Sequence, residues 1–173
     1  MTEPQGDGVQ PPPRGGPPML ATLIALWFGA GLLRPAPGTW GSLAALAIGC
    51  GLWAINPLAL YLAAALAAVG GVWAADAYER GAGRHDAPEV VIDEVAGQWI
   101  ALAALPLAGA ALTLQGAAAA FLLFRLFDIW KPGPIGWADR RLPGGFGVMV
   151  DDLLAGAAAG AILWALVEFG GLL

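Results

Sequence analysis

The residues of this chain best suited to chemistry are carboxylates set in apolar surroundings. Asp93-Glu94 and Asp151-Asp152 are adjacent pairs, and Asp128 follows Arg125 by three residues in Phe124-Arg125-Leu126-Phe127-Asp128-Ile129-Trp130. Neighbouring carboxylates repel unless cations or protons compensate, and a hard cation such as Mg²⁺ prefers carboxylates together with phosphate oxygens. A divalent-metal phosphate site is therefore the economical reading, with Asp93, Glu94, Asp128, Asp151 and Asp152 as metal ligands or water-orienting groups. Asp76 is a weaker candidate. Arg125, Lys131, Arg140 and Arg141 supply the donors that a phosphate or acidic lipid headgroup needs. The turn Pro35 to Ser42 opens a helix whose N-terminus could hold an anion through Thr39 and Ser42, although a plain helix cap explains both residues.

Each of these groups also has an ordinary explanation. Asp93-Glu94 lies between Val90-Val91-Ile92 and the apolar run from Val95 to Ile100, so a solvated face fits it poorly. Glu94 and Gln98 share one helical face, Glu89 and Asp93 a neighbouring one, and Gly97 leaves room beside them. Arg125 and Asp128 would form a structural ion pair if they did nothing else. Capping at the start of a last helix explains one of Asp151 and Asp152 better than both. Glu79, Asp86 and Glu89, in a polar connection containing two glycines, fit a solvated face equally well. His85 reads as a surface histidine.

Stepping from these groups to what must carry them, 58% of the 173 residues are hydrophobic and 12% charged, and the mean hydropathy is +0.69. Soluble domains carry roughly 25% charge. The expected fold is all-α, a polytopic integral membrane helical bundle of about five membrane segments. The uncharged run between Arg34 and Asp76 is long enough for two spans of about 20 residues. Asn56-Pro57 supplies the turn of that hairpin, with arms at about 41–56 and 57–75. Val95 to Phe124, broken by Pro106, Gly109 and Gln115-Gly116, reads as a second hairpin, and Leu153 to Leu173 crosses once. Gly156-x-x-x-Gly160 in that last segment would let a neighbouring helix approach closely.

Met19 to Leu33 is short for a span and fits a tilted helix, a re-entrant arm or an interfacial one. Residues 1–18, rich in proline and glycine, read as a disordered tail, leaving 19–173 as one membrane domain. In this topology Arg34, Arg80, Arg84, Arg125, Lys131, Arg140 and Arg141 share one side, the cytoplasmic side by the positive-inside rule. Ten of the acids fall on that side too.

The formal net charge of −5 excludes a nucleic-acid binder, which needs a basic surface. A single cysteine, Cys50, forms no internal disulfide and no cysteine metal cluster. No Cys-x5-Arg loop and no G-x-x-x-x-G-K-[ST] cradle is present, which removes thiol phosphatase and nucleotide-driven chemistry. The sequence carries no feature that sets an oligomeric state.

Four ordered motifs resemble the phosphatidylglycerophosphatase A family: Pro37-Gly38-Thr39-Trp40-Gly41-Ser42, Glu89-Val90-Val91-Ile92-Asp93-Glu94 with Gly97-Gln98, Phe124 to Pro132, and Gly144-Gly145-Phe146-Gly147-Val148-Met149 with Asp151-Asp152. The resemblance implies an all-helical enzyme of the bacterial cytoplasmic membrane. It also implies Mg²⁺-dependent removal of the terminal phosphate of phosphatidylglycerophosphate, a phospholipid substrate, to give phosphatidylglycerol on the cytoplasmic side. On that reading Asp93, Glu94, Arg125 and Asp128 are catalytic, and Arg125, Lys131, Arg140, Thr39 and Ser42 bind substrate phosphate. Attack by water and attack by an aspartate nucleophile both stay open. Gly133 and Ala87 depart from the family pattern, in loops.

Two other classes compete. A small divalent-cation or ion transporter would also place acids near membrane helices, but the internal repeats common in transporters are not detectable here. A CDP-alcohol phosphotransferase would need an Asp-Gly-x-x-Ala-Arg signature, which is missing.

Overall fold

A computed structural model describes residues 16–85 and 87–170. The tail expected to be disordered falls mostly outside the described residues, as does Asp86. Among the described residues seven α-helices and one 3-10 turn follow one another: α1 (Met19–Ala25), the turn Trp27–Leu32, α2 (Pro37–Ile55), α3 (Pro57–Ala82), α4 (Ile92–Leu107), α5 (Leu114–Trp130), α6 (Pro134–Arg141) and α7 (Gly144–Gly170). No strand occurs among the described residues. The all-α expectation holds.

α2, α3 and α7 are long and apolar enough to cross a membrane. α4 and α5, at 16 and 17 residues, are shorter than the roughly 20 that a span needs. The first hairpin turns where the sequence places it. Asn56 caps α3 by accepting a hydrogen bond of 2.9 Å from the Leu58 amide, and Pro57 takes the first helical position, where no amide donor is missed. The second hairpin turns at 108–113, where Gly109 has a positive φ of 75° and the Thr113 hydroxyl caps α5 through the Gly116 amide.

The core is built on small residues. α4 is the central helix, packing on α2, α3, α5 and α7. Its closest approach is to α7, where a Cβ added to Gly156 would overlap the Gly97 backbone and one added to Gly97 would overlap the Phe124 ring. The expected close approach at Gly156 is thus realised with a glycine on the partner helix. Trp99 locks α4 to α2 by donating to the Ala45 carbonyl at 2.7 Å. A buried hydrogen bond of this kind orders a ring that apolar contact alone would leave free to slide.

Met19–Leu33 does not cross. The seven residues of α1 span only about 10 Å. Pro17 packs on Gly81 at the C-terminal end of α3, Trp27 meets Trp99 with ring centroids 5.2 Å apart, and Gly31 returns against the Glu89 backbone near the start of α4. The segment therefore enters and leaves at one end of the bundle, as a re-entrant arm. Its reversal uses left-handed backbone at Phe28 (φ 54°) and Gly29 (φ 97°), the second of which only glycine adopts without strain. The arm is tied down by the Val91 amide, which donates to the Ala25 carbonyl at 2.8 Å.

Candidate active site

The alternation of helix directions brings the start of α2, the end of α3, the start of α4, the end of α5 and the start of α7 to the same end of the bundle. A cavity of about 440 Å³ opens there. Its acidic wall comes from two helices: Asp93 and Glu94 from the first turn of α4, and Asp151 and Asp152 from the third turn of α7. Carboxylate oxygens of Asp93, Glu94 and Asp152 lie within 4.8 Å of one another. The first turn of α4 suits its two acids, because its unpaired amides and the positive end of its dipole face them. Asp152 is held close by the Gly97–Gly156 contact one turn below.

Opposite this cluster stand two cations. The Arg125 guanidinium donates to Asp128 and, at 3.5 Å, to the Ser42 hydroxyl, and lies 3.9 Å from Glu94. Lys131, which ends α5 in a left-handed conformation, donates to Asp151 and, at 2.6 Å, to Asp139 of α6. Burial alone would lower the Lys131 pKa, but its bonds to Asp139 and Asp151 outweigh that and hold it above the ordinary lysine value. Lys131 is therefore a permanent cation at neutral pH. Gly38, at the start of α2, lets the backbone reach the cluster, since a Cβ there would overlap the Glu94 carboxylate and come within 3.3 Å of Arg125.

The carboxylates divide by partner. Asp128 and Asp151 are each bonded to a cation, Asp151 through Oδ2 only, its buried Oδ1 having no partner, whereas the cluster oxygens Asp93 Oδ1, Glu94 Oε2 and Asp152 Oδ2 are buried with no hydrogen-bond partner. Buried acceptors are normally satisfied, and three orphaned carboxylate oxygens converging from two helices suit a hard divalent cation. The donor set thus fits Mg²⁺ chemistry.

Residues 23–167 match the family model described as phosphatidylglycerophosphatase A. The phosphatidylglycerophosphatase A of Escherichia coli (strain K12) is 42% identical over 142 residues, covering 82% of this chain and 80% of that protein. The chain belongs to the phosphatidylglycerophosphatase A family. The phosphatidylglycerophosphatase A of Haemophilus influenzae is likewise 42% identical, over 145 residues, covering 83% of this chain and 86% of that protein. No solved structure matches the chain. Membership makes it a phosphoric monoester hydrolase with apolar helices long enough to span a membrane.

Against the expectations from sequence, the family cavity gathers Asp93, Glu94, Asp128, Asp151, Asp152, Arg125, Lys131 and Thr39 on its wall. Four expected residues sit elsewhere. Ser42 is fully buried beneath Arg125, its hydroxyl donating to the Gly38 carbonyl at 2.8 Å, so it braces the arginine instead of facing the cavity. Arg140 and Arg141 are exposed on the last turn of α6 and are absent from the wall. Asp76 pairs with Arg80 at 2.6 Å on α3, away from the cluster.

Other corrections concern caps and burial. Neither Thr39 nor Ser42 caps α2, which begins at Pro37 with no side-chain cap. Asp151 and Asp152 do not cap α7, because that helix begins seven residues earlier at Gly144, where Gly145 fits against the Val72 carbonyl and the Asp76 amide. Glu79 and Glu89 are buried, not solvated. Glu89 accepts from Tyr78 at 2.8 Å and from Arg84, fixing the loop that forms one cavity wall. His85 also lines the cavity, its Nδ1 2.9 Å from Glu79 Oε2, and Asp139 joins through Lys131. Sequence gave His85 no helical partner. Its nearest signal was the buried acid six residues before it.

Proposed function

We propose that this enzyme hydrolyses the terminal phosphate of phosphatidylglycerophosphate, releasing phosphatidylglycerol and inorganic phosphate, with Mg²⁺ held by Asp93, Glu94 and Asp152. The observation that carries the reading is the orphaned, buried carboxylate oxygens of Asp93, Glu94 and Asp152 facing Arg125 and Lys131 across one cavity at a helix-end face. A bound divalent ion would neutralise phosphate charge and lower the pKa of a water at the site. The chain's own residues do the rest. Arg125, forked and braced from below by Ser42, binds two equatorial phosphate oxygens, and Lys131 a third. Asp128 keeps the Arg125 plane fixed, and Asp151 with Asp139 keeps Lys131 in reach.

In the step itself a water oxygen attacks phosphorus in line, and the bond from phosphorus to the glycerol oxygen breaks. The proton that the water loses passes to a carboxylate of the cluster, which then returns it to the leaving glycerol oxygen.

The family's four motifs converge on this one face, which supports placing the site on the cytoplasmic side of the bacterial inner membrane, where the positive-inside rule puts Arg34, Arg80 and Lys131. α4 and α5, though short, complete a five-span bundle if the bilayer thins or the helices lie close to its normal. A cation transporter would need a route past the cluster, and the Gly97–Gly156 contact and the buried Phe124 close the bundle directly beneath it. The test is phosphorus NMR of phosphatidylglycerophosphate in mixed micelles with purified protein. Loss of the monoester signal with equal gain of inorganic phosphate, the diester persisting, supports the reading. Diester cleavage, or no change with any divalent ion, overturns it.

A further inference from the structure

Most cations of this face are neutralised. Arg80 pairs with Asp76, Arg84 with Glu89, Arg125 with Asp128, and Lys131 with Asp139 and Asp151. Among the described residues Arg34, Arg140 and Arg141 have no carboxylate within 4.0 Å, and all three are exposed. Their placement is not scattered. Arg34 lies two residues before the cavity-lining Ala36, and Arg140-Arg141 lie between the cavity-lining Asp139 and Leu142. The unpaired arginines thus flank the cavity mouth from two sides.

The surface beside them is amphipathic. α6 buries Ile135, Gly136 and Ala138 against the bundle and leaves Trp137 54% exposed, while Trp130, just before it, is 69% exposed. Exposed tryptophans next to arginines are the composition of a helix lying at the headgroup level of a bilayer. Each unpaired cation near the headgroups attracts anionic lipid through its charge, more strongly where water is thinned by neighbouring apolar rings. A chain whose net charge is −5, with a carboxylate cluster at its cavity, repels anionic lipid unless local cations reverse the potential.

We propose that Arg34, Arg140 and Arg141, with Trp130 and Trp137, form a rim that holds anionic phospholipids of the surrounding bilayer by the net negative charge of their headgroups, separate from the cavity that takes the phosphomonoester. The rim concentrates anionic lipid at the mouth. It requires no hydrolysis, so its test is independent of the proposed reaction.

The experiment uses the full chain reconstituted in phosphatidylcholine vesicles containing trace spin-labelled phosphatidylserine or spin-labelled phosphatidylcholine, with the protein-immobilised fraction of each read by electron spin resonance. Phosphatidylserine has the net negative charge that phosphatidylcholine lacks and carries no phosphate monoester, so the difference between the two reads charge at the rim and not the cavity. The wild type should immobilise the serine lipid preferentially, and the preference should fade as salt rises. The triple variant Arg34→Gln/Arg140→Gln/Arg141→Gln should lose it, each cation accounting for up to about a fivefold preference, while the corresponding triple Lys variant keeps most of it. Equal immobilisation of both lipids by the wild type overturns the proposal, whatever the variants do. A triple Gln variant that retains the preference overturns it as well.

Discussion

Gly156→Ala tests how the fold makes the site. The α4–α7 crossing sets the distance from Asp93 and Glu94 to Asp152, and it is as short as it is because neither Gly97 nor Gly156 has a side chain. A Cβ on Gly156 would lie 2.9 Å from Gly97 Cα, whereas unbonded carbons settle at about 3.5–4.0 Å. The helices must then part by about 0.6–1.1 Å at that point. The crossing lies one turn from the carboxylates, so the cluster, now within 4.8 Å, opens by a comparable amount. A misplacement of about 1 Å costs on the order of 100-fold in rate, and overpacking costs about 1–3 kcal/mol of stability. The assay is phosphate release from phosphatidylglycerophosphate at saturating Mg²⁺, alongside thermal unfolding in the same detergent. Gly51→Ala is the matched control: Gly51 lies within α2, nothing stands within 4 Å of its added Cβ, and alanine there should keep the rate and gain up to about 1 kcal/mol. A Gly156→Ala enzyme that turns over at the wild-type rate would refute the reasoning.

Three further outcomes follow from the same geometry. Arg125→Lys keeps the charge but not the fork, and should lower kcat/KM by on the order of 100-fold with unfolding temperature little changed; steady-state kinetics on the lipid substrate decide it. Gly38→Ala pushes a methyl group into the Glu94 carboxylate, so it should raise the Mg²⁺ concentration needed for half-maximal activity by about 10- to 100-fold, as outer-shell changes do, measured in a metal titration. Burial alone would raise the Glu89 pKa, but the Tyr78 hydroxyl and then Arg84 hold it below the ordinary glutamate value. Its stabilising contribution is thus present above the unfolded pKa and lost as pH falls through the folded one. Tyr78→Phe should lower the unfolding temperature near pH 6 and flatten its fall as pH drops below the ordinary glutamate value of 4.5, and an unchanged slope would count against the assignment.

What the sequence disclosed, and what it hid, divides along physical lines. Asn56-Pro57 announced its hairpin because turn chemistry is local: one side chain caps, one ring fixes φ. The acids and Arg125 were legible because charges surrounded by apolar residues are costly unless they serve something. The start of α7 was not, since Gly144-Gly145-Phe146-Gly147 looks like a loop until α3 is packed against it. That packing moved Asp151 and Asp152 from a cap to the third turn. Met19–Leu33 was ambiguous for a similar reason: its length excluded little, and only the contacts of Pro17, Trp27 and Gly31 show that both ends lie on one side. Ser42 and Arg140 were placed by residue type alone, and type does not say which way a side chain faces. His85 is exposed, as a surface histidine should be, but its pairing with Glu79 depends on how the end of α3 turns at Gly83, whose φ is 65°, and nothing local in the sequence discloses it.

The central claim is that Asp93, Glu94 and Asp152 hold the divalent ion on which phosphate release depends. The most direct test is a Mg²⁺ titration of phosphate release from phosphatidylglycerophosphate, from excess chelator upward, on the wild type and on Asp93→Asn shown to be folded by its unfolding temperature. The account predicts no release in chelator, saturable release with Mg²⁺ in the wild type, and none from the folded variant at any Mg²⁺ concentration. Release that persists in chelator, or a folded Asp93→Asn enzyme with the wild-type Mg²⁺ curve, would contradict it.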